Sequence, residues 1–222
     1  MSSPATTVIC SSPNHPVWPV LERWGRSTLV QRPTEATGGD LLFLVSCSDM
    51  VSQDVRAKYK HALVLHAADL PKGRGWSPHI WQVIEGRNSI VLSLLEAADS
   101  IDSGDIWRKE IIPLEGHELH DEINELIFAA ELRLMDYAID NFTTIVPKKQ
   151  VGEATYYRKR TPTDSELDPY NSIVAQFNLL RVADPSRYPA FFTINGVRYN
   201  ISIRKADCLP SSDSPMSTAV NR

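Results

Sequence analysis

A histidine that ends a short apolar run and a later aspartate in a glycine turn could share one pocket and move protons during acyl transfer. The histidine is His66, which leaves Leu63-Val64-Leu65 and opens the segment His66-Ala67-Ala68-Asp69-Leu70-Pro71-Lys72-Gly73-Arg74-Gly75. The aspartate is Asp102, in Ile101-Asp102-Ser103-Gly104-Asp105. A carboxylate beside an imidazole orients the ring and supports positive charge on it. Such a ring can take a proton from an attacking amine or hydrogen-bond an oxyanion. Taken by themselves, the two residues are better explained as a hydrogen-bonded strand-end histidine and a turn aspartate, since single His and Asp residues are common in loops.

The surrounding pattern supplies elements that would bring the two together. Asp40 to Ser46 and Ala62 to Leu65 are continuous apolar runs, the mark of strands covered on both faces. Ser77-Pro78 opens a helix that Gly86 closes, and Ser89 to Leu95 and Ile106 to Ile112 read as further strands. Leu119 to Phe142 forms the longest helix, with Leu119, Ile123, Leu126, Ala130, Leu134 and Ala138 on one face. Strands alternating with helices predict an α/β fold built on a mainly parallel, Rossmann-like sheet. In such a sheet ligands sit beyond the carboxyl ends of the strands, which places His66 and the loop carrying Asp102 at one crevice. After Pro147 the texture changes. Ser172 to Val182 reads as a helix and Phe191 to Ile203 as a hairpin turning at Asn195-Gly196. The expected division is a catalytic domain over 1–146, a small C-terminal α+β subdomain over 147–206, and a disordered tail over 207–222.

Composition narrows the function class. The chain has 222 residues, 42% of them hydrophobic, and a formal charge of −4, enough for one full core. That charge disfavours a nucleic-acid partner. The cysteines, Cys10, Cys47 and Cys208, lack the spacing of a disulfide frame or zinc site, so reduced thiols and no metal are expected. Met1 to Thr7 shows no secretory leader, and no window nears the roughly 18 apolar residues of a membrane span. The expectation is a cytoplasmic protein with no membrane partner. The loop Ser11-Ser12-Pro13-Asn14-His15-Pro16 lacks the glycine pattern of a dinucleotide fold. Asn14 and His15 there could touch an acceptor or simply cap a helix.

The run from His66 to Gly75, the Trp76-Ser77-Pro78 after it, and Asp102-Ser103-Gly104-Asp105-Ile106 resemble the formyltransferases that use 10-formyltetrahydrofolate. The resemblance runs from about Leu41 to Phe142. It continues more weakly through Tyr157-Arg158-Lys159-Arg160 and Phe177-Asn178-Leu179-Leu180-Arg181 to Phe191. It is closest to the sugar N-formyltransferase branch, including the type that formylates a nucleotide-linked nonulosonic (pseudaminic) acid. The resemblance implies a reduced form of the formyltransferase fold, because little chain separates Trp24 from Asp40. It also implies that His66 and Asp102 are catalytic, and that 10-formyltetrahydrofolate is the co-substrate. The folate would lie against Met50, Val51, Leu70, Pro71 and Ala98, Asp99, Ser100 and Ile101.

The implied acceptor is the amine of a nucleotide-linked amino sugar used in cell-surface glycan synthesis, with hydroxyornithine as the other candidate acceptor. Lys72, Gly73 and Arg74 would meet its phosphate, and Tyr157 and Arg158 its nucleotide. A solvated basic loop and an edge strand account for these residues as well. A homodimer is expected, with the region from Pro147 to Ile203 as the contact. One departure stands out. The family has an asparagine two residues before the histidine, and this chain has Val64, which cannot donate a hydrogen bond. Asn14 and Asn88 are conceivable substitutes. A folate- and nucleotide-sugar-binding protein that has lost turnover is the remaining reading.

Overall fold

The computed structural model describes residues 3–206, so the expected tail over 207–222 lies outside the described residues. The main sheet has six strands in the order β2-β1-β3-β4-β6-β7. They are β1 (Thr6–Ile9), β2 (Thr28–Val30), β3 (Gly39–Leu44), β4 (Tyr59–His66), β6 (Ser89–Glu96) and β7 (Ile106–Pro113). A two-residue strand, β5 (Arg74–Gly75), lies between β4 and β6 in the chain but outside this sheet. The helices of this part are α1 (Trp18–Trp24), α2 (Gln53–Arg56), α3 (Pro78–Ile84) and α4 (His120–Asn141). The first four strands of the sheet are parallel, whereas β6 runs antiparallel to β4 and β7 antiparallel to β6. The stretch from Trp24 to Asp40 holds one three-residue strand and a single 3-10 turn (Pro33–Glu35) in place of a full strand-helix unit.

The apolar runs are explained by burial on both faces. Successive strand residues point to opposite sides. Leu41, Phe43, Leu63 and Leu65 join the larger core with Leu134 and Ala138 of α4. Leu42 and Leu44 join a second cluster with Ile9, Val51 and Tyr59, against which Val64 packs.

The long helix is one residue shorter at each end than its pattern suggested, and its buried stripe differs. Ile123, Ile127, Ala130, Leu134 and Ala138 face the core, while Leu126 is exposed. Steps of four and three residues carry the stripe past Leu126. Glu122 caps the start, its carboxylate accepting the Leu119 amide at 2.8 Å.

The stripe also carries Glu131, 6% exposed, with Oε2 buried and unpartnered. Burial pushes this carboxyl up from 4.5 to about 8. Between those values the folded chain holds a proton that the unfolded chain has released, so stability falls as pH rises through that window. From pH 5.5 to 7 the loss is about 2 kcal/mol. Glu131→Gln should remove this slope, raising Tm more at pH 7.5 than at pH 5.5 in paired thermal melts. An equal gain at both pH values would contradict the assignment.

Beyond α4 come β8 (Tyr156–Tyr157), α5 (Ile173–Arg181), β9 (Ala190–Ile194) and β10 (Val197–Ile201). Asn195 and Gly196 both take positive φ, 51° and 76°, as a two-residue hairpin requires. Arg181, 2% exposed, bonds the Glu118 carbonyl at 3.1 Å and its carboxylate at 3.4 Å, tying α5 to the approach to α4. Contacts cross the boundary expected after residue 146. Lys148 bridges to Ile106, and β8 pairs in parallel with β5.

Candidate active site

His66 ends β4 and is 8% exposed. The loop after it is held by side chains from three other elements. Ser93 of β6 donates to the Ala68 carbonyl at 2.7 Å, Gln82 of α3 to Ala67 at 2.8 Å, and Lys109 of β7 to Leu70 at 2.6 Å. Gly75 has φ 100°, and a Cβ there would lie 2.4 Å from the Tyr157 carbonyl, so only glycine fits.

Asp102 lies beside His66, with Oδ1 3.5 Å from Nδ1, and its Oδ2 accepts the Gly75 amide at 2.9 Å. His66 Nε2 sits 2.9 Å from the Gly73 carbonyl. Both ring nitrogens therefore face acceptors. For Nε2 to accept a proton, the Gly73 carbonyl would have to give up its place there.

The two residues meet, though not by the route that a parallel sheet implied. Because β6 is antiparallel, its carboxyl end lies beside Leu63, partway down β4, and Ser93 is the residue opposite His66. The loop over 97–105 must fold back toward the histidine. It does so through Asp102 in the left-handed region, φ 52°, and through Gly104, whose hypothetical Cβ would lie 1.8 Å from the Glu96 carbonyl.

Val64 shares the His66 face of β4. Its register neighbours are Leu44 on β3 and Leu95 on β6, so the strands flanking it present no side-chain donor there. Asn88 precedes β6 five residues before Ser93, roughly 16 Å along an extended chain. Asn14 is exposed in the loop after β1. His15 accepts the Val17 amide on Nδ1 at 3.2 Å and packs edge-on against Phe128. Burial, then Arg187, lowers its imidazole to about 4, so the ring at pH 7 is a neutral acceptor for the start of α1.

On the expected folate side, Val51, Leu70 and Pro71 are buried, and Met50 and Ile101 stand exposed. Ala98, Asp99 and Ser100 are exposed as well. Arg56 of α2 braces that loop, donating to the Ala97 carbonyl at 2.8 Å and pairing with Asp99.

On the expected acceptor side, Lys72 is exposed, Gly73 is buried, and Arg74 bonds Gln150 and Tyr156. Tyr157 and Arg158 are engaged with α3. Tyr157 stacks on Trp81 and donates to Glu85 at 2.8 Å, and burial followed by Glu85 pushes its phenol up to about 12. Arg158 lies over Trp81 and pairs with Asp164. A groove of about 480 Å³ between α4, α5 and β10 shares no lining residue with either loop. Among the described residues, no three His, Cys, Asp or Glu side chains converge as metal ligands.

No family model matches the chain. Among curated proteins it is similar to a methionyl-tRNA formyltransferase from Protochlamydia amoebophila, 25% identical over 178 residues, covering 77% of this chain and 55% of that protein. The chain thus spans about half the length of the curated relatives it matches. Among solved structures, a methionyl-tRNA formyltransferase from Clostridium thermocellum superposes with a TM-score of 0.77 at 22% identity, over 91% of this chain and 94% of that one. The chain has the formyltransferase fold. That fold also covers 91% of this chain in HypX from Aquifex aeolicus in complex with tetrahydrofolic acid (TM-score 0.75, 19% identity, 38% of that chain). A sugar N-formyltransferase from Shewanella sp. matches over 92% of this chain and 99% of its own (TM-score 0.69, 13% identity).

Within this formyltransferase fold, sequence reasoning missed the supports of the two loops: Arg56, Gln82, Ser93, Lys109 and Gln150. Arg56, Gln82, Lys109 and Gln150 have no local signature, since each is a single polar residue whose partner is distant in the chain. Ser93 alone had a signal, as an isolated hydroxyl inside the apolar run Val91 to Leu95.

Proposed function

We propose that this chain is an N-formyltransferase that moves the formyl group of 10-formyltetrahydrofolate to the amine of a nucleotide-linked amino sugar. The observation that carries the reading is the His66–Asp102 pair, both side chains 9% exposed, where the two glycine loops meet. The amine nitrogen attacks the formyl carbon to give a tetrahedral intermediate. His66 takes the amine proton at Nε2 and hydrogen-bonds the oxyanion. Asp102 orients the ring. The bond from formyl carbon to N10 then breaks, and N10 departs with a proton, leaving a formamide and tetrahydrofolate. Lys72 and Arg74 would receive an acceptor phosphate, Tyr157 and Arg158 would border its nucleotide, and Asn14 and His15 would lie toward the acceptor. Folate would rest on Leu70–Pro71, Met50–Val51 and the exposed loop from Ala98 to Ile101. The active form would be a cytoplasmic homodimer.

The HypX complex supports the folate assignment, and the sugar N-formyltransferase likeness supports the acceptor class. Incubation with 10-formyltetrahydrofolate and a panel of amino-sugar nucleotides, hydroxyornithine and methionyl-tRNA, followed by folate absorbance, tests both. Turnover with an amino-sugar nucleotide is expected. Turnover only with one of the other acceptors would overturn the substrate class. Folate binding without any turnover would favour the second reading, a binding protein, for which the apolar surroundings of Val64 speak.

A further inference from the structure

We propose that Gln150 is a positioning residue that locks Asp102 and Arg74 into one unit, an inference that rests on the reading of His66 and Asp102 as the reacting pair. Its side-chain amide does three things at once. Nε2 donates to the Asp102 carbonyl at 2.8 Å and to the Gly104 carbonyl at 2.9 Å. Oε1 accepts from Arg74 at 2.7 Å. The two carbonyls flank the turn that presents Asp102, and Arg74 belongs to the loop that His66 opens. One side chain from beyond the α/β unit thereby joins both halves of the site.

Asp102 needs such a clamp. Its left-handed backbone is unfavourable for a residue with a Cβ and persists only where the surroundings hold it. Its carboxylate must reach His66 and the Gly75 amide together, and a turn that relaxed by an ångström would lose one of them. Gln150 can hold the turn because its own backbone is pinned. Lys148, two residues earlier, exchanges hydrogen bonds of 2.7 and 2.8 Å with Ile106 at the start of β7. Thr155, five residues later, accepts the Gly73 amide on its hydroxyl at 2.9 Å. An amide is the functional group this place requires. It supplies two donors to the carbonyls and one acceptor to the guanidinium, whereas a carboxylate would face two carbonyl oxygens with none.

The test uses the full chain with Gln150→Ala and Gln150→Glu, and with Val151→Ala at an exposed neighbour as control. The readouts are steady-state kinetics with 10-formyltetrahydrofolate and amide hydrogen exchange. The expected result is a kcat lower by about 10- to 100-fold in the alanine variant, and at least as low in the glutamate variant. KM for 10-formyltetrahydrofolate should stay within about twofold. The Gly75 amide should exchange at least about tenfold faster, while β4 and α4 keep their protection. Unchanged Gly75 exchange in both variants overturns the proposal. So does an unchanged kcat with faster exchange, or a loss of protection throughout β4 and α4, which would make Gln150 a fold residue. Should the wild-type chain transfer no formyl group, the functional reading fails, and Gly75 exchange still decides whether Gln150 holds the turn.

Discussion

Replacing His66 with alanine is expected to lower formyl transfer by roughly three powers of ten while folate binding and the fold persist. The imidazole is the group proposed to carry a proton to or from the reacting amine, and Val64, the next residue on its face of β4, has only apolar register neighbours. Asp102→Asn should cost a similar factor by a different route. The amide keeps the size of the carboxylate and an oxygen for the Gly75 amide, but it removes the charge that supports the imidazolium. Measured kcat/KM for 10-formyltetrahydrofolate with the acceptor found by the panel is the check. Activity above about a tenth of wild type in either variant would remove that residue from the chemistry. Because one member of the pair depends on the other, the double variant should lose little more than the worse single one.

Among the glycines, Gly104→Ala should be the most damaging alanine substitution. The added Cβ would sit 1.8 Å from the Glu96 carbonyl, a backbone atom that cannot swing aside. Glu96 is held by Leu63 across the sheet and by its own amide bond to the Asp105 carbonyl at 2.9 Å. The turn must therefore move, and Asp102 with it. A loss of about 3 kcal/mol is expected, a fall in Tm on the order of 6–12 °C for a chain of this size, together with loss of transfer. Gly116→Ala is the comparison. Unlike Gly104 it has positive φ, 95°, yet a Cβ there meets nothing within 4 Å, so its cost should stay near 1 kcal/mol. Equal melting curves for the two variants would show that the loop has more room than its packing indicates.

Two elements show why the strands were legible and their directions were not. Ala62 to Leu65 and Ser89 to Leu95 were readable as buried strands because a chain covered on both faces is apolar at nearly every position. Hydrophobicity has no sign along the chain, so the antiparallel run of β6 left no trace in composition. The loop carrying Asp102 was expected beyond a strand end and instead folds back along β4. The helix over Ile173–Arg181 and the turn at Asn195-Gly196 were readable because caps and positive-φ turns are local chemistry. Glu131 was invisible for the opposite reason. Nothing adjacent in sequence marks a carboxyl as buried, and its place in the stripe emerges only when α4 meets the core.

The sequence by itself determined the alternation of buried strands and helices and the glycine loops, and it singled out His66 and Asp102, the two residues proposed to carry the chemistry. These depend on residue type and short spacing, which act within a few bonds. Tertiary structure alone decided that Asp102 turns back to His66, that Tyr157 and Arg158 lie on α3, and that Gln150 ties both loops together. Each of those is a hydrogen bond or contact between residues far apart in the chain, and such a pairing exists only once the sheet has brought its partners within reach.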